Sequence, residues 1–263
     1  MLDLEGPIQE SWRYRELFYF FAWRDIKVRY KQTILGVVWA IIQPLFTVLV
    51  FTLLFGRLAG IPSDGTPHPT FYLSALLPWI YVSTTVIASG NSLIGNSGLI
   101  TKVYFPRVIL PASAALGALL DFAIGSVLLV VLMLYYRVEI HWTLLLWPLL
   151  VVPMFVLTVG IGMILAALNV KYRDVKHAMP FGIQLWLFLT PIIYPTSMVP
   201  ERYRALLALN PLGGLIDVFR WTVVPSRAPS PLQAIASATM IMALWVIGWL
   251  YFRSTEKAFA DIV

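Results

Sequence analysis

Several aromatic side chains in this sequence stand close to a hydroxyl or amide side chain within long apolar stretches. An aromatic face can stack on the C–H face of a sugar ring, and amide and hydroxyl groups can hydrogen-bond sugar hydroxyls. This combination suits the wall of a glycan path, although an aromatic belt at the membrane surface explains any single ring better. The candidates for such a path are Trp39, Gln43, Trp79, Tyr81, Trp186 and Tyr194.

Other reactive chemistry in the sequence is sparse. Asp121 is the one clear ionisable side chain inside an apolar stretch, a position typical of proton or ion paths. It has no basic partner within those stretches, which favours a hydrogen-bonded structural role over proton coupling. Since the chain has no cysteine and its three histidines lie far apart, we expect no metal site. The sequence contains neither a Gly-x4-Gly-Lys-Ser/Thr phosphate loop nor a Gly-x-Ser-x-Gly elbow, so ATP binding of that kind and serine catalysis are not expected.

The composition indicates an integral membrane protein. Of 263 residues, 59% are hydrophobic and 12% are charged, whereas soluble domains have about 45–50% and about 25%. So few charges cannot cover a water-facing surface, and the hydrophobicity is too high for a disordered chain. The net charge of +6 fits basic cytoplasmic segments better than a nucleic-acid partner.

Six apolar stretches are candidates for spanning helices, each of which needs about 20 residues to cross about 30 Å of hydrocarbon. With the N-terminus in the cytoplasm, about two-thirds of the basic residues fall on the cytoplasmic side. We therefore predict an all-α polytopic membrane protein with six transmembrane helices and both termini in the cytoplasm. Its parts are a cytoplasmic N-terminus of residues 1–33, a transmembrane domain of residues 34–252 and a cytoplasmic tail of residues 253–263. The spans are residues 34–55, 71–89, 109–136, 144–168, 180–194 (which is short) and 232–252.

An N-terminal amphipathic helix is predicted over residues 16–33. An aromatic half is followed by a charged half, and Arg24, Lys27 and Lys31 recur at three- and four-residue steps, which places them on one helical face. Such a helix lies in the membrane interface. An anchor that only obeys the positive-inside rule explains the same pattern equally well.

A second short helix is predicted on the cytoplasmic side, within residues 91–111. Glycines allow a turn, residues 99–105 can form an amphipathic helix, and prolines end it. With Leu99, Val103 and Phe105 exposed, this helix suits docking into a groove of a cytoplasmic partner. The alternative is a capped loop that folds onto the chain's own membrane surface.

The outer segment of residues 195–231 is too apolar for a free loop. It divides at Asn210–Pro211 into two halves of about a dozen residues, which are too short to span and suggest short re-entrant helices. Such a pair can close a pore or simply cap the bundle, and composition does not decide between the two.

Six motifs occur in order along nearly the whole chain: RDIKVRYKQTILG from Arg24, NSGLITKVYFPR from Asn96, YRDV from Tyr172, LTPIIYP from Leu189, LNPL from Leu209 and EKAFAD from Glu256. Each motif alone is weak, but the ordered set resembles the transmembrane subunit of bacterial ABC exporters that move polysaccharides such as O-antigen or teichoic acid. These proteins are type-2 ABC permeases. The resemblance implies a homodimer in the bacterial inner membrane, bound by two separate ATPase chains that hold ATP and Mg. It implies a lipid-linked polysaccharide as cargo, contact with membrane lipids, no cofactor in this chain and no nucleic acid.

The resemblance also implies roles for particular residues. An amphipathic gate helix would meet the pyrophosphate of the cargo's lipid head, a coupling helix would dock on the ATPase, and short outer helices would close the channel. The gate-helix residues are Arg24, Lys27, Arg29, Tyr30 and Lys31; the coupling residues are Gly98, Leu99, Lys102, Tyr104, Phe105, Pro106 and Arg107; the outer gate residues are Asn210, Pro211, Phe219 and Arg220. Two alternatives stay open: the same kind of permease for capsule, teichoic acid, drug or lipid cargo, and a proton-coupled secondary transporter that uses Asp121.

Overall fold

The computed structural model describes residues 14–31, 36–223, 228–256 and 259. Within those residues the chain is helical and has no strand, which confirms the all-α prediction. The parts of the predicted segments that fall on residues 1–13, 32–35, 224–227, 257–258 and 260–263 lie outside the described residues. The helices are α1 (Arg15–Lys31), α2 (Gly36–Leu58), α3 (His68–Gly95), α4 (Ser97–Ile100), α5 (Ile109–Tyr135), α6 (Trp142–Lys171), α7 (Val175–Leu189), α8 (Glu201–Ala208), α9 (Pro211–Val223) and α10 (Pro231–Glu256).

Five helices in the described part of the chain are long and apolar enough to cross a membrane: α2, α3, α5, α6 and α10. The fifth predicted span, residues 180–194, differs from the prediction. Its helix α7 begins at Val175, ends at Leu189 and has 15 residues, about 22 Å at 1.5 Å per residue. That length falls short of about 30 Å of hydrocarbon, so a full crossing by this segment needs the non-helical residues 190–195 as well.

Helix α3 lies at the centre of the bundle. In its most apolar window 78% of the residues are buried, whereas only 11% are buried in the corresponding window of α2. Helix α3 packs against α6, α5, α9 and α2, and its side chains from Phe71 to Val86 supply much of the main core. Helix α2 contributes little to that core, so most of its apolar surface faces outward.

Helices α6 and α10 touch through their backbones at two glycines. A Cβ atom added to Gly248 would collide with the carbonyl oxygen of Gly160, and one added to Gly160 would lie 2.7 Å from the Cα of Trp245. Small residues at helix contacts allow this approach within membranes, where dispersion contacts replace the hydrophobic effect between helices. Since the opposing atoms are backbone, they cannot rotate out of the way.

Gly248→Ala should therefore destabilise the bundle by about 1–3 kcal/mol through overpacking. Thermal unfolding of the purified chain in detergent measures the effect as a lower midpoint. Gly182→Ala is the matched control, because no atom lies within 4 Å of a Cβ at that position in α7. Equal midpoints for the two variants would contradict the backbone contact.

Candidate functional site

A cavity of about 320 Å³ lies where the C-terminal half of α1 meets α2, α3 and α5. It brings together residues from two sets that the sequence analysis placed apart, the gate-helix set and the glycan-path set. Its polar and aromatic lining consists of Arg29, Tyr30, Trp39, Gln43, Tyr81, Thr84, Asp121 and Phe122.

Asp121 anchors α1 over this cavity. Its carboxylate accepts hydrogen bonds from the Arg29 guanidinium and from the Tyr30 hydroxyl. The sequence analysis found no basic partner for Asp121 because it compared apolar stretches only, and the partner lies on α1. The Arg29 side chain is 40% exposed, so further donors of its guanidinium can reach a ligand in the cavity. Two donors bind this carboxylate, an arrangement that favours the hydrogen-bonded role over proton coupling.

Among the glycan-path residues, Trp39 and Gln43 line this cavity with exposed side chains. They lie one turn apart on α2, both are exposed, and spacing of four residues places them on one face. Tyr81 also lines the cavity, but its hydroxyl is not free for a ligand, because the side chain is buried and the hydroxyl donates to the Ala115 carbonyl at 3.1 Å. The Thr84 hydroxyl likewise donates to the Ile80 carbonyl at 2.6 Å.

The remaining glycan-path residues lie elsewhere. Trp79 and Trp186 pack edge to face with ring centroids 5.8 Å apart, and the Trp186 Nε1 donates to the Asn210 side-chain oxygen at 3.0 Å. Tyr194 follows the end of α7, where its carbonyl binds Arg220. Within one chain, therefore, the six path residues do not line a single surface.

A buried guanidinium stabilises the chain after α7. Arg220 of α9 is 9% exposed and donates to the carbonyls of Pro191 at 2.5 Å, Ile192 at 2.6 Å and Tyr194 at 3.3 Å. It also lies 4.0 Å from the ring centroid of Phe71. These carbonyls belong to non-helical chain after α7, and in apolar surroundings such carbonyls need donors from the protein. Arg220 supplies those donors.

The neighbouring acid of α9 is also fully engaged. Asp217 accepts hydrogen bonds from the Thr196 hydroxyl at 2.6 and 2.7 Å and from the Gln233 amide at 3.0 Å. Burial lowers the pKa of Arg220 to about 10, and the negative charge of Asp217 opposes this shift. The guanidinium therefore keeps its charge at neutral pH. We call Thr196, Asp217, Arg220 and Gln233 the Arg220 cluster.

The other outer gate residues are also engaged in packing and hydrogen bonds around the end of α7 and in α9. The Asn210 amide donates to the Thr190 hydroxyl at 2.9 Å and to the Leu189 carbonyl at 3.2 Å. Pro211 is buried at the start of α9, and Phe219 packs edge to face on Trp147 with centroids 5.1 Å apart. The prediction of two short helices that divide at Asn210–Pro211 is confirmed by α8 and α9.

The predicted coupling helix is shorter than expected. The helix α4 covers Ser97–Ile100 only, and the Thr101 hydroxyl donates back to the Ser97 carbonyl at 3.3 Å. The expected exposure of Phe105 is wrong: it is 3% exposed and packs on Phe21 with centroids 5.9 Å apart. The Phe105 ring is buried because removal of its apolar surface from water is favourable and the cluster with Phe21 lies next to it.

Thr101 to Tyr104 are all exposed, and we call Lys102, Val103 and Tyr104 the exposed tip of this segment; of these, Val103 was expected to be exposed. Gly98 is exposed beside them, whereas Leu99 and Pro106 are half-buried. The half-buried Arg107 faces inward. Its backbone N–H donates to the Glu256 carboxylate at 3.1 Å, and its guanidinium donates to the Glu256 carbonyl.

The basic residues of α1 also differ in exposure: one binds other side chains, and two are exposed. The Arg24 guanidinium binds the Asp25 carboxylate at 2.9 Å and the Asn96 side-chain oxygen at 2.8 Å. Lys27 and Lys31 are exposed, and the Lys27 ammonium lies 5.5 Å from the Trp23 ring centroid. Sequence reasoning missed Asn96 and Glu256 as partners, because nothing local to either residue marks a contact with a distant segment.

A family model for ABC-2 type transporters matches residues 16–224, which run from α1 to the end of α9. The chain therefore belongs to the ABC-2 type transporter family. It is 33% identical to an O-antigen export system permease protein, RfbA, of Myxococcus xanthus, over 97% of this chain and 98% of that protein. It is 28% identical to an RfbA of Klebsiella pneumoniae over 91% of this chain and 92% of that protein. It is 25% identical to the polysialic acid transport protein KpsM of Escherichia coli over 89% and 92%.

Reversal of the Arg29–Asp121 pair tests the anchor of α1. Arg29→Asp and Asp121→Arg should each lower the thermal midpoint in detergent, and the double variant should recover part of the loss. Because both side chains are partly exposed, we expect a coupling free energy of about 0.5–1 kcal/mol. Lys31→Asp makes the same charge change on the same helix and serves as control. A double variant whose loss equals the sum of the single losses would contradict the pairing.

Loss of the Arg220 guanidinium should destabilise the region after α7. Arg220→Gln leaves buried carbonyls and Asp217 without their cation, which costs about 3–5 kcal/mol. Arg220→Lys keeps the charge but not the fork of donors, so its stability should be intermediate. Folded yield by size-exclusion chromatography and the thermal midpoint measure the effect. Arg202→Gln, at an exposed arginine of α8, is the control, and equal stability of Arg220→Gln and Arg202→Gln would rule out this role.

Proposed function

We propose that this chain is the membrane-spanning subunit of an ATP-driven exporter for a lipid-linked, O-antigen-like polysaccharide. Family membership and relatives named for O-antigen export and polysialic acid transport support an export role and a polysaccharide cargo. The single observation that carries the proposal is the cavity beside α1, which joins a partly exposed cation to an exposed indole and an amide. A lipid-linked glycan has the matching groups in the same order: a phosphate for the cation, followed by sugar rings for the indole and the amide.

The phosphate end of the cargo meets α1 in this proposal. The Arg29 side chain is 40% exposed while Asp121 binds its guanidinium, and charge-assisted bonds from guanidinium to phosphate oxygens are strong. Lys27 and Lys31 are exposed on the same helix and add positive potential at an anionic membrane surface. Arg24 takes a smaller part, because Asp25 and Asn96 already bind it.

The first sugar rings then lie against α2. The Trp39 indole offers a stacking face, and the Gln43 amide offers both a donor and an acceptor to sugar hydroxyls. Helix α2 exposes further apolar side chains along its length, among them Phe46, Leu49 and Leu53. A second copy of the chain would place two such helices opposite each other, so we propose a homodimer with the glycan path between the copies.

Two separate ATPase chains supply the energy and bind the ATP and Mg. Their contact would be the exposed tip of Lys102, Val103 and Tyr104. This chain itself catalyses nothing in the proposal. Both termini lie in the cytoplasm in this proposal, on the side where α1 and the basic residues around the turn from α6 to α7, Lys171, Arg173 and Lys176, meet the membrane surface.

Substitutions at the cavity test the cargo assignment. In a reconstituted complex of the chain with its ATPase, Trp39→Ala and Gln43→Ala should each lower polysaccharide export by about 2- to 10-fold, as expected for one lost stacking or hydrogen-bonding contact. Trp39→Phe keeps an aromatic face and should retain most activity.

Trp142→Ala, at a 70% exposed indole at the start of α6, is the matched control. If the cavity variants export polysaccharide as fast as this control, the cavity does not hold the glycan. If the wild-type complex moves a drug or a phospholipid but no polysaccharide, the cargo is another one. Export without any ATPase would favour a secondary transporter instead.

A further inference from the structure

The segment that carries the exposed tip is attached to the rest of the chain at both ends. At its start, the Asn96 side-chain oxygen accepts a hydrogen bond from the Arg24 guanidinium at 2.8 Å. The Asn96 amide in turn donates to the Ser92 carbonyl at 2.8 Å, which fixes the orientation of the side chain at the end of α3. This end of the segment is therefore tied to α1.

At its other end the segment is tied to the C-terminal end of the chain. Arg107 binds the carboxylate of Glu256 through its backbone N–H and the carbonyl of Glu256 through its guanidinium. The guanidinium also lies 5.9 Å from the ring centroid of Phe259. Phe259 is 2% exposed and packs edge to face on Phe252 with centroids 5.3 Å apart.

Between the two ends, a small core supports the segment from beneath. Ile100, Phe105, Phe21, Phe252 and Phe259 belong to one buried cluster. The exposed tip therefore stands on a base that consists of α1 on one side and the end of α10 on the other. A displacement of the tip must move both helices or break the contacts at one end.

We propose that Glu256 and Phe259 are positioning residues for coupling to the ATPase. They hold Arg107, and so set the orientation in which Lys102, Val103 and Tyr104 meet the partner chain. Through them the tip acts on the last spanning helix α10, while Asn96 and Phe105 connect it to α1. This inference rests on the proposed function.

The contacts of Glu256 and Phe259 lie beyond the spanning helices' main core. Their loss should leave the main core, in which α3 packs with α6 and α5, in place and loosen the tip together with the smaller cluster beneath it. The expected defect is therefore in coupling: ATP is hydrolysed, but less of the free energy reaches the spans.

The test measures polysaccharide exported per ATP hydrolysed by the full chain with its ATPase in proteoliposomes. Glu256→Ala removes the acceptor for the Arg107 N–H, whereas Glu256→Gln keeps a side-chain oxygen there. Glu256→Ala and Phe259→Ala should lower the ratio by about 2- to 30-fold, the range found for residues that transmit coupling. Glu256→Gln and Phe259→Leu should recover most of it. The matched control is Glu139→Ala, at an acid whose side chain is 88% exposed.

A second measurement follows the tip directly. The chain has no cysteine, so Tyr104→Cys gives a single site for a spin label, and electron paramagnetic resonance reports its mobility. Glu256→Ala and Phe259→Ala should make the label more mobile, and Glu139→Ala should not. An unchanged export ratio with unchanged label mobility would overturn the inference. If the wild-type complex exports no polysaccharide, the proposed function fails, and the label mobility still decides whether Glu256 and Phe259 position the tip.

Discussion

Two arginine side chains of short helices bind groups on distant segments, in surroundings where hydrocarbon supplies no water to replace those partners. Arg220 donates hydrogen bonds to the carbonyls after α7, and Arg29 donates to the carboxylate of Asp121. Each contact joins a short peripheral helix, α9 or α1, to a long helix or to the chain between helices. The long helices pack mainly through apolar and small side chains, with a few hydrogen bonds such as the one from Tyr81 of α3 to the Ala115 carbonyl of α5. The short helices thus take their positions from a few strong polar contacts, and the sites at both ends of the bundle depend on those contacts.

Apolar packing of the long helices and polar attachment of the short ones fit a transporter of the ABC-2 type. The cavity beside α1, the Arg220 cluster and the exposed tip each include a short helix or the chain next to one, and polar contacts fasten each of these parts to its neighbours. The α6–α10 pair is packed backbone to backbone at Gly160 and Gly248, which makes it the more rigid part of the bundle.

Most of the architecture could be predicted from the sequence, because hydrophobic length is a local property. The five long spans, the helix α1 and the division of the outer segment at Asn210–Pro211 follow from runs of apolar residues and from prolines. The end of α7 was not predicted, because the span was placed by apolar length alone; the groups that bind the non-helical chain after Leu189, Arg220 and Asn210, lie 20 or more residues further along. The pairing of Asp121 with Arg29, and of Arg107 with Glu256, depends on residues 92 and 149 positions apart. No local pattern contains that information, and for the same reason the buried position of Phe105 was missed.

The contrast between α2 and α3 has a consequence for how the chain enters the membrane during synthesis. Helix α2 leaves the ribosome first, is the more hydropathic of the two and buries little against its neighbours, so it can partition into lipid alone. Helix α3 carries Thr70, Ser74, Thr85 and Ser89 at positions that the finished bundle covers, and its main partner α6 is translated only after α4 and α5. We therefore expect lipid alone to hold α3 less firmly than α2, and α3 to gain its full stability in the membrane only when the later helices, α6 foremost, pack against it.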